Sequence, residues 1–90
     1  PLAAGHIITI DVVEPWRRRG VGKALMDAAD SWADREMLSL LYLETALDND
    51  VAQTFYRRRG YEKLRMIEHY YAGGGAAWIM VKRLNRHRQA

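Results

Sequence analysis

Arg17, Arg18, Arg19, Gly20, Val21, Gly22 and Lys23 form one unbroken run, and the chemistry such a run can do is to hold an anion. From Gly20 onward the apolar residues Val21, Leu25, Ala28 and Trp32 recur at helical spacing, so the cations crowd the start of a helix. A helix start carries unpaired N–H groups and roughly half a positive charge, which favours acids and disfavours cations. Asp27, Asp30 and Asp34 lie further along instead. A bound phosphate would resolve the conflict, and Gly20 and Gly22, lacking Cβ, let the backbone come close to it. A glycine-rich turn decorated with solvated arginines is the plainer reading and stays open. Two other phosphate motifs fail. A Walker A loop needs Gly at Arg17 and Ser or Thr at Ala24, and a dinucleotide fingerprint needs Gly at Leu25. The absence of cysteine removes a thiol nucleophile, a thiolate metal site and a disulfide framework.

The elements that must position this run follow from periodicity. Ile7 to Val13 alternates Ile8, Ile10 and Val12 with Thr9 and Asp11 and predicts a strand, ended by Pro15. A helix is expected from Gly20 to about Met37 and a second strand from Leu40 to Ala46. A strand–helix–strand unit of this length implies parallel strands joined by a right-handed crossover. Asp48, Asn49 and Asp50 supply caps for a short helix through Tyr56 to Arg59, with Gly60 as its left-handed stop. Tyr61 to Tyr71 and Ala77 to Leu84 then predict an antiparallel pair around Gly73, Gly74 and Gly75. The order is β-α-β-α-β-β, an α/β class with a mixed sheet.

Ninety residues, 49% apolar and 28% charged, predict one small domain over residues 1–90. No leader and no membrane-length apolar run is evident, so a cytoplasmic protein is expected. The net charge of +3 is uneven, with nine Lys/Arg against four Asp/Glu in residues 46–90. Lys82, Arg83, Arg86 and Arg88 are expected to form a solvated face, and a nucleic-acid-binding module is the least favoured reading. His6, His69 and His87 are too scattered to suggest a metal site, and none is assigned.

The segment from Arg17 to Gly22 resembles the Arg/Gln-x-x-Gly-x-Gly/Ala pattern of the GNAT acetyltransferase family, in the strand–helix setting that family requires. The resemblance extends over residues 6–84, because LYLETALDNDVAQTFYRRRGYEK is similar to the family's next strand, helix and Gly-aromatic stop. It implies a GNAT-like fold lacking its N-terminal strands and helices, with acetyl-CoA as donor and a primary amine as acceptor, either a protein N-terminus or a small amine. By the same resemblance Val12, Val13, Arg17, Arg18, Arg19, Gly20, Val21, Gly22, Lys23, Asn49 and Tyr56 would hold acetyl-CoA. Glu44, twelve residues before Tyr56, stands where the ribosomal-protein alanine acetyltransferases carry a base. Tyr56 would serve as general acid near the thioester sulfur, and a backbone N–H at Val12 or Val13 would polarise the carbonyl. Tyr70 and Tyr71 are similar to a tyrosine-bearing hairpin that covers the acceptor peptide. Each residue also has a plainer role: Glu44 as a solvated strand end, Asn49 as a helix cap, Tyr56 as a core aromatic beside Phe55, and the tyrosines as ordinary strand residues.

Because the resemblance begins at what looks like the family's fourth strand, a homodimer or a missing N-terminal segment is expected to cover the exposed edge of the first strand. A non-catalytic acyl-CoA-binding or assembly domain is the competing reading.

Overall fold

The computed structural model describes residues 3–7 and 20–84. They form β1 (Ala4–Ile7), α1 (Val21–Arg35), β2 (Leu40–Ala46), α2 (Asp50–Arg58), β3 (Glu62–Ile67) and β4 (Ala77–Arg83), in the expected order. The sheet runs β1-β2-β4-β3: β1 pairs parallel to β2, and β4 lies antiparallel between β2 and β3.

Alternation along β2 decides what the sheet carries on each side. Leu41, Leu43 and Thr45 are buried. Leu41 and Leu43 join Met80 of β4, Met26 and Ala33 of α1 and Tyr56 of α2 in one core. Met26, Leu41 and Met80 are fully buried, and each contributes about 1.5–3 kcal/mol by leaving water. That burial matters most for α2, whose nine residues are too few to hold a helix alone. Gln53 ties α2 to the strand before it, its Nε2 donating to the carbonyls of Ala46 and Leu47 at 3.0 Å each. Both described helices sit on this face. His6, Tyr42, Glu44 and Ile79 project from the other, which no helix covers among the described residues.

The two helices end alike. In α2 the N–H of Tyr61 reaches the carbonyl of Tyr56 and that of Gly60 the carbonyl of Arg57, with Gly60 at φ 100°. In α1 the N–H of Leu38 reaches Ala33 and that of Met37 reaches Asp34, with Met37 at φ 57°. Both are Schellman closures. The second corrects the expected end at Met37: the helix stops at Arg35, because Met37 takes the left-handed position that glycine usually fills.

Three further boundaries differ from expectation. The first strand is already paired at Ala4, with Ala4 opposite Leu40, so it begins before Ile7; residues 8–19 lie outside the described residues. The third strand stops at Ile67 rather than Tyr71, because the chain turns at His69, φ 55°. Tyr70 and Tyr71 therefore sit in a connection. The fourth strand ends at Arg83, one residue short of Leu84.

Lys82 also departs from the expected solvated face. Its Nζ bonds Asp30 at 3.0 Å, and Arg59 bonds both Asp30 at 3.1 Å and Asp27 at 2.6 Å. These pairs join α1, the end of α2 and β4. Lys23 and Arg59 hold the Asp27 carboxyl below its ordinary range.

Candidate functional site

Parallel strands bring their carboxyl ends to one side of a sheet, where ligands of α/β folds collect. Here α2 begins just after β2, so Asn49 and Asp50 stand at that side together with the carboxyl end of β2.

At α1 the cap is Gly20, with φ 78° and ψ 12° and no side-chain hydrogen bond. The first intrahelical bond runs from Ala24 N to Gly20 O at 2.9 Å, and no acid stands in the first turn. Among the described residues the amides of Val21, Gly22 and Lys23 have no acceptor, beside the positive end of the helix dipole. Lys23, whose Nζ bonds Asp27 at 2.9 Å, is exposed and within reach of the same end. Val12, Val13, Arg17, Arg18 and Arg19 lie outside the described residues.

At α2 the Oδ1 of Asn49 accepts from Ala52 N at 3.1 Å, so Asn49 is a helix cap. That bond uses only the oxygen of its amide. Asp50, Val51, Thr54, Phe55 and Arg58 line a shallow cleft of about 440 Å³ along this helix. Phe55 links the two helices, since a Cβ on Gly22 would lie 3.6 Å from its ring. Tyr56 points into the core, 8% exposed, its ring edge-on to Phe55 and Tyr61 with centroids at 5.6 and 6.0 Å.

On the opposite sheet face the structure joins residues that sequence order separates. His6 lies opposite Tyr42 in the parallel register, and Glu44 is two residues on, along the same face. The His6 and Tyr42 rings stack at 4.4 Å, and His6 Nε2 donates to Glu44 Oε1 at 2.7 Å. A carboxylate only accepts, so Nε2 carries the hydrogen. From the β3–β4 connection Tyr70 lies near enough to feel the charge of the same carboxylate. Burial, reinforced by the Glu44 charge, pushes the Tyr70 phenol up. Carboxylate and imidazole in one bonded pair can take and pass a proton. Sequence reasoning singled out Glu44 and Tyr70 but missed His6. Its signal is a pairing across the sheet, invisible until the register is known. Among the described residues no group of three metal-ligating side chains occurs, and no helix is long and apolar enough to cross a membrane.

Residues 2–61 match the Acetyltransferase (GNAT) family. An N-alpha-acetyltransferase of Sulfurisphaera tokodaii is 36% identical over 78 residues, covering 84% of this chain and 46% of that protein. The crystal structure of Ard1 from Thermoplasma volcanium superposes with TM-score 0.88 at 34% identity, covering 92% of this chain and 56% of that one. Naa20 of Chaetomium thermophilum, solved with a bisubstrate analogue, gives 0.83 at 26%, covering 93% and 50%. The chain therefore spans about half the length of the relatives it matches. With its strand–helix order, its uncapped glycine turn and this match over residues 2–61, the chain belongs to the GNAT acetyltransferase family.

Proposed function

We propose that this chain supplies the donor-binding half of an N-acetyltransferase that moves the acetyl group of acetyl-CoA to a primary amine, a protein N-terminus in preference to a small amine. The observation that carries the reading is the pairing of Glu44 with His6 across the parallel strands β1 and β2. The names of relatives support the acceptor: an N-alpha-acetyltransferase, and a Naa20 structure with a bisubstrate analogue.

In this reading the phosphates of acetyl-CoA sit on the amides of Gly20 to Lys23 with Arg17, Arg18 and Arg19 around them. The pantetheine arm runs past the Asn49 amide. Glu44 accepts the proton of the attacking amine, through water, with His6 fixing its carboxylate. The amine nitrogen bonds to the acetyl carbon, whose oxygen leans on a backbone N–H at Val12 or Val13. The carbon–sulfur bond then breaks, and Tyr56 protonates the departing thiolate. Direct transfer suits a chain without cysteine. Tyr70 and Tyr71 border the acceptor. A cytoplasmic location and a homodimer, or a preceding segment that completes the acceptor side, remain part of the reading on sequence grounds.

Calorimetric titration with acetyl-CoA tests it, with Gly20→Glu and Arg17→Ala as variants. Saturable binding lost in both folded variants is expected. Acetylation of peptide N-termini should then fall about 10²–10⁴-fold in Glu44→Gln, the usual worth of a general base. Binding with no turnover on any amine would favour the second reading, a non-catalytic acyl-CoA-binding domain.

A further inference from the structure

We propose that Tyr42 is a positioning residue for the acetyl transfer: its ring fixes the plane of the His6 imidazole, and with it the hydrogen bond that aims the Glu44 carboxylate. The inference rests on the reading of Glu44 as the base.

A histidine ring does not choose its own orientation. Its second side-chain torsion is broad and roughly two-fold, and a half-turn about it puts a ring carbon where a ring nitrogen stood. The bond of 2.7 Å to Glu44 needs Nε2 on that side. The ring plane must therefore be set from elsewhere, leaving the hydrogen bond only the choice between two half-turns.

Tyr42 supplies the plane. It stands directly opposite His6 in the parallel register, on the sheet face that no described helix covers. The two rings lie 4.4 Å apart and only 4° from parallel. On the other side of Tyr42, Val81 of β4 is its partner in the antiparallel register and is buried. Cross-strand partners share a face, so His6, Tyr42 and Val81 form one row across three strands. Glu44 follows Tyr42 by two residues and shares its face by strand alternation. One strand thus provides both the residue that orients the imidazole and the residue that accepts its N–H.

Exposure shows why the plane matters. The Glu44 side chain is 9% exposed and that of His6 34%, so the imidazole is the member of the pair with room to turn. Each turn away leaves the carboxylate without the donor that aims it, and a misplaced catalytic group costs rate even where binding is intact. The flat face of Tyr42 carries this role and its hydroxyl does not, so phenylalanine can replace it and an aliphatic residue cannot. A stacked aromatic pair favours its geometry by about two- to tenfold.

Two measurements on the full chain test the proposal, with Tyr42→Ile and Tyr42→Met as variants that lack the flat ring and Tyr42→Phe as the variant that keeps it. The first needs no activity: the ratio of Nε2–H to Nδ1–H tautomers in the neutral His6 ring, read from its nitrogen resonances. It should fall about two- to tenfold in the aliphatic variants and recover in Tyr42→Phe. The second is acetylation of peptide N-termini, where kcat should fall by a similar factor with KM for acetyl-CoA unchanged, again recovering in Tyr42→Phe. An unchanged tautomer ratio in both aliphatic variants, or a Tyr42→Phe as impaired as they are, would overturn the proposal. A wild-type chain that acetylates no amine would remove Glu44 as the base and the catalytic role of Tyr42 with it, while the tautomer ratios would still decide whether Tyr42 sets the ring.

Discussion

Tyr61 shows how one hydroxyl can work against its own ring. The ring is buried against Tyr56, with Lys82 Nζ 5.9 Å from its centre, and the hydroxyl has no hydrogen-bond partner among the described residues. Burial pushes its phenol well above the ordinary value of 10.0, the Asp30 charge adds to this, and Arg59 opposes it. A raised folded value means that the group's contribution to stability is complete below about pH 10 and is lost as the pH rises further. Tyr61→Phe should therefore gain about 1 kcal/mol, the cost of a buried unsatisfied hydroxyl, and flatten the fall in melting temperature above pH 10. A loss of stability instead would reveal a partner for the hydroxyl. At this scale the sequence was only partly legible. Glu44, Asn49 and Tyr56 were picked out by resemblance, whereas His6 gains its meaning from a strand 38 residues away.

The helix ends show the same limit at the scale of elements. Gly60 announced the end of α2, because glycine is the residue that takes positive φ without cost. Met37 takes the same conformation at the end of α1, and no residue type marks it, so periodicity ran on to the wrong stop. Leu38, buried just beyond, is what holds the turn closed. The left-handed conformation costs a residue with Cβ roughly 1 kcal/mol. Met37→Gly should raise stability by about that amount in thermal unfolding, since Met37 is exposed and little packing is lost. For β2 expectation and structure coincide at Leu40 and Ala46, and its burial alternates along all seven residues. Gly5 in β1 carried no visible signal either: a Cβ there would come within 2.7 Å of Leu38 and Trp32, a constraint set by packing alone.

At the scale of the whole fold, the described residues make two layers, one sheet and one pair of helices, and a smallest extent of 19 Å fits that slab. A ligand held by the amino end of α1 and by the α2 cleft would add to the shared core, Phe55 and the Arg59 ion pairs that already join the two helices. Acetyl-CoA at a hundred times its Kd should stabilise the fold by about 2.7 kcal/mol. For a domain this size that raises Tm by roughly 10–20 °C, measurable by scanning calorimetry; no shift would mean that the folded chain does not bind the donor. The parallel unit was legible from strand–helix–strand spacing. The strand order was not, because chain order alone does not say that β4 pairs with both β2 and β3.

That placement also bears on synthesis. As the chain leaves the ribosome, β2 and β3 emerge with no backbone partner for their facing edges, and the strand that joins them comes after both. Until Ala77 to Arg83 is made, the core beneath Leu41 and Leu43 lacks Met80, and Glu44 has no neighbour at Ile79. Nascent chains halted before Ala77 should therefore be targets for chaperones and proteases rather than shorter stable domains.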